Sequence, residues 1–344
     1  MRALMCVRHG HWSDLEPREL QDPSPEDGQI LVRVCAAGMS FANILAIAGT
    51  HQNSSVPPFI PGTEAAGVVV STGAADTALR PGDRVVASMR RGAFAELATV
   101  AADGVFPIPD DLDFGPATLL PTIYATAYTS LRSEARLEPG ETVLVHGSAG
   151  ASGYAAVQVA AALGARVLAC ASTADKREVA LAAGAHAVLP STGFRDAVLE
   201  QTGGRGADIV FDPVGGVVFD ESLRTVAPEG WILTIGFASG GVPQIPANIV
   251  LVKNVSVIGV NWGYYSGWSP KPPSARARQR VEDAFKELFT LAADEKISPR
   301  VHHTLPFDDF RKGFEIIENR SVVGKVVLSP SQTGPGEAEK ERAR

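Results

Sequence analysis

Three cysteines in 344 residues are too few and too scattered for a disulfide framework. Cys6, Cys35 and Cys170 each fall inside an apolar, strand-like segment, a set that reads as reduced, buried thiols in a cytoplasmic protein. No stretch approaches the roughly 20 apolar residues of a membrane span. The opening "MRALMCVRHGHWSD" holds an apolar stretch too short and too interrupted for a signal peptide. Basic excess is also missing. With a formal charge of −7, nothing offsets phosphate repulsion, which argues against a nucleic-acid partner. The one basic cluster, "KPPSARARQR" (Lys271 to Arg280), reads as a solvated loop entering a helix. What is present, 45% hydrophobic and 20% charged residues, is a globular balance on a chain too long for one ordinary core. Two domains are expected.

Up to about Leu120 the chain reads as short strands and turns. "QILVRVCAAG", "AAGVVVSTG" and "DRVVAS" are rich in β-branched residues and are separated by turn text such as "PSPEDG" and "RPGD". From Thr142 the rhythm becomes strand, helix, strand. "TVLVHG", "RVLACAS", "HAVLP", "DIVFDPVGG", "WILTIGFASG" and "VSVIGVNW" supply the strands. Helices are expected in "GYAAVQVAAALGA", "TADKREVALAAGA" and through "VFDESLRTVAPEG". Parallel strands joined by crossover helices imply a doubly wound sheet. The helical spacing of "VEDAFKELFTLAADEKI" and "FDDFRKGFEIIENR", closed by "GKVVLS", is expected to return to the first domain, and the polar end after Pro330 to be a disordered tail.

"ETVLVHGSAGASGYAAVQV" places Gly147, Gly150 and Gly153 between a buried strand and a helix. Such a turn offers unpaired N–H groups and the positive end of a helix dipole, so it attracts phosphate. Glycines let the backbone approach a pyrophosphate and let helix and strand pack closely. GxxGxxG alone is a weak signal; inside a repeated strand–helix series it is a strong dinucleotide signal. The cofactor positions read from it are Gly147, Ser148, Ala149, Gly150, Ala151, Ser152 and Gly153. At the end of the second strand, "ACASTADKR" has no carboxylate where a ribose 2′-hydroxyl is usually held. Ser172 can donate to a 2′-phosphate and Lys176 can neutralise it, with Arg177 in reserve. The alternative is that Lys176 and Arg177 are exposed charges on a helix first turn. NADPH is the cofactor expected.

These residues resemble the medium-chain dehydrogenase/reductase superfamily, in its zinc-independent, zeta-crystallin-like NADPH:quinone oxidoreductase branch. The resemblance is carried by "IPGTEAAGVV" (Ile60 to Val69), "GAFAEL" (Gly92 to Leu97), "LEPGETVLVHGSAGASG" (Leu137 to Gly153), "ADIVFDPVGG" (Ala207 to Gly216), "IGFASGGVPQIPANIVLVKNVSVIGVNWG" (Ile235 to Gly263) and "GKVVL" (Gly324 to Leu328). It implies an α/β fold: a Rossmann doubly wound parallel sheet inserted in a GroES-like, partly closed β-barrel catalytic domain. The domains expected are residues 1–121 (catalytic, first part), 122–262 (NADPH-binding) and 263–330 (return to the catalytic domain), followed by the tail 331–344. A homodimer through the Rossmann sheets is implied. Zinc-dependent relatives hold the metal with a Cys in "GVC" and a His in "GHE"; the corresponding text is "GMS" (Gly38 to Ser40) and "GTE" (Gly62 to Glu64). A four-cysteine structural zinc lobe cannot be built from three scattered cysteines. His9 with His11, and His302 with His303, lack companion ligands, so no metal is expected.

Without a Lewis acid, an acceptor that delocalises charge onto its own carbonyl is favoured. The expected reaction is hydride transfer to a quinone or to the β-carbon of an α,β-unsaturated carbonyl. Two alternatives stay open: a dedicated biosynthetic enoyl reductase, and an NADPH-binding protein with little catalysis. The resemblance puts the substrate beside "GMSFANILAIAGTH", where Ser40 and Asn43 are candidate hydrogen-bonding residues and His51 a candidate proton donor or an exposed loop histidine. Tyr124 and Thr126 resemble cleft-lining positions, with helix packing as the other reading. Asp212, Val214, Gly236, Phe237 and Asn261 are placed beside the cofactor by the same resemblance. Tyr264 and Tyr265 are an aromatic wall or a packing contact, and Lys325 reaches the cofactor or is an exposed strand-end lysine.

Overall fold

Runs of β-branched residues bounded by turns become strands, as their propensity directs. The first are β1 (Arg2–Met5), β2 (Glu16–Glu19) and β3 (Gln29–Met39), with helix α1 (Phe41–Ala48) following directly. Then come β4 (Glu64–Ser71), β5 (Arg84–Ser88), β6 (Leu97–Ala101), β7 (Val105–Pro107) and the short helices α2 (Phe114–Ala117) and α3 (Ala125–Tyr128). The alternating stretch runs β8 (Thr142–Val145), α4 (Ala151–Ala162), β9 (Arg166–Cys170), α5 (Ala174–Ala182), β10 (Ala187–Leu189), α6 (Arg195–Gln201) and β11 (Ala207–Asp212). It continues with α7 (Val217–Thr225), β12 (Val226–Thr234), α8 (Ala247–Lys253) and β13 (Ser256–Gly259). Helices α9 (Trp262–Tyr265) and α10 (Ala275–Ala293), β14 (Val301–Pro306), α11 (Phe310–Glu318) and β15 (Lys325–Ser329) complete the order. This computed structural model describes residues 1–330, so the expected tail, 331–344, lies outside the described residues.

The chain divides into two units. The first comprises Met1–Thr122, Gly263–Pro273 and the chain from Pro299; the second comprises Ile123–Trp262 and Ser274–Ser298. In the first unit the strand order is β14-β15-β3-β4-β5-β7, with β6 also on β3. Every pair is antiparallel except β14 with β15. The long strand β3 serves two partners along one edge, β6 at Gln29–Arg33 and β15 at Ala37–Met39, while β4 covers its other edge. Its core joins Val32, Val34 and Phe94 to Phe314 and Trp12, whose rings stack at 5.7 Å.

In the second unit six strands are parallel in the order β10-β9-β8-β11-β12-β13. Sequence order runs one way from β8 and the other way from β11, so the switch point lies between these two strands. In such sheets ligands bind beyond the carboxyl ends of the strands at that point.

Two expectations change. Helix α7 stops at Thr225 and β12 starts at Val226, because Pro228 cannot sit inside a helix and Val226 is already extended. The segment Ser274–Ser298, expected in the catalytic return, belongs to the second unit. The reason is its apolar stripe: Ala277, Ala284, Phe285, Leu288 and Leu291 of α10 are buried, and Arg280 pairs with Glu134 and donates to Ser133 O at 3.0 Å.

Candidate functional site

The glycine turn follows β8 directly. Gly147 adopts φ +59°, a conformation that residues with a Cβ rarely take. Gly153 is held for closeness: a Cβ there would lie 2.3 Å from Gly147 O. Gly150 caps α4 in extended conformation without a side chain to bond the first turn. The N–H groups of Ala151, Ser152 and Gly153 therefore have no acceptor within the helix by position. This is a cradle for an anion at the positive end of a twelve-residue helix. Ala149 is buried in the turn. Ser148 is wholly buried, and both its N–H (3.1 Å) and its hydroxyl (2.9 Å) donate to Cys170 O, pinning the turn to the end of β9.

Two further loops join the turn. Val214, after β11, has its Cγ2 3.6 Å from where a Cβ of Gly147 would stand. The segment after β12 folds onto that loop, with Ala238 N–H donating to Pro213 O at 3.1 Å and Ser239 N–H to Val214 O at 3.0 Å. Gly236 is half-buried there, and Phe237 is 41% exposed, its ring against Gly215. Gly147, Val214 and Phe237 thus meet at the ends of β8, β11 and β12, the place that the switch point designates. Asn261 is exposed just beyond β13. Asp212 is turned into its own loop. Wholly buried, its Oδ1 accepts from Val214 N–H (2.8 Å) and Gly215 N–H (2.9 Å), holding the loop, and burial pushes its carboxyl pKa up.

Beyond β9, Ser172 is exposed and Lys176 half-buried in the first turn of α5. Thr173, missed in the sequence, caps this helix by accepting from Lys176 N–H at 3.3 Å. Arg177 turns back to donate to Ala171 O at 3.3 Å. Ser172 and the Lys176 side chain therefore stand at the end of the second strand of the sheet.

Four other candidates stand in internal packing or in a helix cap. Tyr124 is wholly buried and donates to Gln158 Oε1 at 2.6 Å, and burial holds its phenol well above the ordinary tyrosine range. Thr126 is buried in α3 beside α4. Ser40 and Asn43 form a capping box for α1, with Ser40 N–H on Asn43 Oδ1 at 2.7 Å and the Ser40 hydroxyl on the same oxygen at 2.9 Å. Asn43 is buried and both lone pairs of its Oδ1 are taken, which leaves its amide N–H groups as the donors it can offer. The motif S-x-x-N before an apolar run is itself a cap signal that the sequence reading passed over.

Within the first unit His51 is half-buried, and its Nδ1 accepts from Asn53 N–H at 3.1 Å. Burial pushes its pKa down, so the ring is neutral with its proton on Nε2. It can donate a hydrogen bond; as an acid at neutral pH it is already spent. Tyr264 and Tyr265 meet edge to face at 5.6 Å. Lys325 is neither exposed nor turned to a ligand: it forms an ion pair with Glu64, and both side chains are 1% exposed. Gly38 permits this, since a Cβ there would stand 2.4 Å from Glu64 Oε1. The pair thus crosses β3 from β4 to β15 over the gap left by Gly38. Glu64 was visible as the last letter of "GTE", but its partner, far off in sequence, was not. Among the described residues no group of three or more His, Cys, Asp or Glu is placed to hold a metal ion.

Two family models match the chain, one described as an alcohol dehydrogenase GroES-like domain over residues 26–110 and one as zinc-binding dehydrogenase over residues 151–273. The quinone oxidoreductase-like protein 2 homolog of Nematostella vectensis is 37% identical over 339 residues, covering 96% of this chain and 89% of that protein. The structure of Escherichia coli quinone oxidoreductase complexed with NADPH is similar with a TM-score of 0.87 at 28% identity, over 96% of this chain and 100% of that one. A mycobacterial protein complexed with NADPH is similar with a TM-score of 0.88 at 32% identity, again over 96% and 100%.

Proposed function

The chain belongs to the quinone oxidoreductase family of the medium-chain dehydrogenases/reductases, and from that premise we propose an NADPH-dependent, zinc-independent reductase of quinones or of α,β-unsaturated carbonyls. The observation that carries the reading is the glycine turn: Gly147 at positive φ, Gly153 packed on Gly147 O, and an uncapped helix start at a sheet switch point. When bound, the nucleotide supplies the hydride from its reduced nicotinamide. The chain's own residues orient it. First-turn amides of α4 receive the diphosphate, and Ser172 with Lys176 receives the 2′-phosphate. Val214 borders the same turn, and Phe237 packs on the neighbouring loop at Gly215.

On the first unit, Met39, Ser40 and Thr63 stand in the two zinc-ligand segments, and Glu64 is committed to Lys325. A thioether and two hydroxyls are poor partners for an alkoxide. An acceptor that spreads the incoming charge over a conjugated carbonyl makes the least demand on them. The neutral Nε2–H of His51 is the group we assign to bonding the acceptor's oxygen. We also propose a homodimer. Leu251 (76% exposed) and Val252 (81% exposed) of α8, with Val242 and Ile245, are exposed apolar residues in the chain leading to β13, one of the two edge strands of the sheet, which a second copy's edge would cover. Free thiols at Cys6, Cys35 and Cys170 fit a reducing, cytoplasmic setting.

The test is turnover of NADPH with 1,4-benzoquinone, 9,10-phenanthrenequinone, a 2-alkenal and crotonyl-CoA. Quinone or alkenal turnover is expected. Turnover of crotonyl-CoA alone indicates a dedicated enoyl reductase. Tight NADPH binding with no turnover of any acceptor overturns the enzymatic reading.

A further inference from the structure

The chain passes between its two units at four places, after Thr122, Trp262, Pro273 and Ser298. One buried side chain of the second unit holds two of these passages. Gln158 sits in the third turn of α4, and its Oε1 accepts from the Tyr124 hydroxyl at 2.6 Å and from Ser298 N–H at 3.0 Å. Its Nε2 donates to the Tyr154 hydroxyl at 3.2 Å. Tyr124 lies just past the first passage, and Ser298 is the last residue before the fourth. Two donors on one oxygen also fix which way the amide faces.

Nothing in the packing alone calls for an amide here. Val157, Val159 and Ala160 around it are fully buried apolar residues, and a polar group is kept in such a place only when its bonds are filled. The first passage also falls within a π-helical turn, Leu120–Tyr124, a wound-out geometry common at functional sites. Gln158 shares α4 with the glycine turn, roughly 12 Å along the axis from Gly150, which is too far to touch the bound diphosphate.

We infer that Gln158 is a positioning residue: by tying Tyr124 and Ser298 to the helix that carries the glycine turn, it fixes the directions in which the chain leaves the nucleotide-binding unit. On the proposed function turnover also uses His51, which belongs to the first unit, whereas nucleotide affinity draws on α4 and its neighbours. Loss of the tie therefore lowers kcat and leaves nucleotide binding intact.

The test uses the full chain with Gln158→Leu and Tyr124→Phe. For Gln158→Leu, amide hydrogen exchange at Ser298 is expected to speed up about tenfold, the worth of one lost hydrogen bond. NADPH affinity by calorimetry is expected to stay within about twofold, while kcat with 1,4-benzoquinone falls roughly tenfold, because the affinity contacts are untouched. Tyr124→Phe keeps the Ser298 bond, so Ser298 exchange stays as in the parent and the amides of Ile123 and Tyr124 exchange faster. Unchanged Ser298 exchange in Gln158→Leu overturns the inference, as does a parental kcat in both variants. If Gln158→Leu does not fold, Tyr124→Phe decides: parental exchange at Ile123 and Tyr124 sinks the idea. The kcat arm rests on the proposed activity; if the parent chain turns over no acceptor, that activity fails and the exchange arm alone judges the role of Gln158.

Discussion

Replacing Lys325 by Met leaves the carboxylate of Glu64 alone in the interior of the first unit. Both side chains of the pair are 1% exposed, and the Glu64 oxygens have no other hydrogen-bond partner among the described residues, so no second cation or donor is at hand to take over. Removing one partner of a buried pair costs ~3–5 kcal/mol, because the charge that remains is desolvated and uncompensated. Spread over a unit of this size, that corresponds to a fall in Tm of roughly 6–20 °C. The double variant Glu64→Leu with Lys325→Met tests the reasoning. Two apolar side chains of similar volume remove the charge problem, so its Tm should lie within about 4 °C of the parent, as replaced buried pairs often do. Gly38→Ala presses a methyl onto Glu64 and should destabilise the parent, yet be milder in the double variant, where a shorter, uncharged Leu can yield. The assay is thermal unfolding followed by tryptophan fluorescence, with Trp12 packed in the core of this unit. A Lys325→Met chain as stable as the parent refutes the argument. So does a double variant no better than either single one.

Three other outcomes follow from the same structure. Lys176→Ala should weaken NADPH by about 10–100-fold, the worth of one charge-assisted contact, and leave NADH unchanged; equal affinities for both nucleotides before and after would remove Lys176 from the phosphate site. His146 is wholly buried, bonded through Nε2 to Ser222 at 2.8 Å, and burial lowers its pKa from 6.5 to about 3. The unfolded chain thus binds a proton in that window that the folded chain refuses, so stability falls as pH drops. From pH 7 to 5 the loss is about 2 kcal/mol, seen in urea midpoints, and His146→Gln should cancel that part of the pH dependence. Leu251→Glu with Val252→Glu should shift sedimentation from dimer to monomer with the fold intact; an unchanged sedimentation coefficient would move the interface elsewhere.

Signals that act through the backbone were legible in the sequence. Gly147, Gly150 and Gly153 between a buried strand and a helix dictate a turn whose geometry depends only on lacking Cβ atoms, and the structure uses two of the three in that way. The strand–helix alternation from Thr142 was equally legible, because hydrophobic periodicity is a local property. Helix α10 was readable as a helix, but its unit was not. A buried stripe says that a helix packs, while the surface it meets, including Glu134, lies far away in sequence.

The polar candidates that the structure engages internally share one feature. Ser40, Asn43, Ser148, Tyr124, Asp212 and Lys325 all stand at the ends of strands or helices, where binding residues stand, and where backbone groups also run out of partners. Each was spent on that second need or on a buried neighbour: Ser40 with Asn43 on a cap, Asp212 on a loop, Ser148 on β9, Tyr124 on Gln158 and Lys325 on Glu64. Residue type and position along an element do not separate the two uses. What separates them is whether a donor or acceptor is already filled, and that is set by tertiary neighbours. Ser172 and the first turn of α4 escape this competition, the former exposed beyond its strand and the latter offering N–H groups that no side chain caps. A site built from uncapped backbone amides and the half-buried Lys176 is suited to a phosphorylated cofactor by charge and shape. On the proposed function the acceptor would meet a thioether and hydroxyls rather than a strong polarising group, and that is the reason for proposing substrates that spread charge over their own conjugated carbonyl.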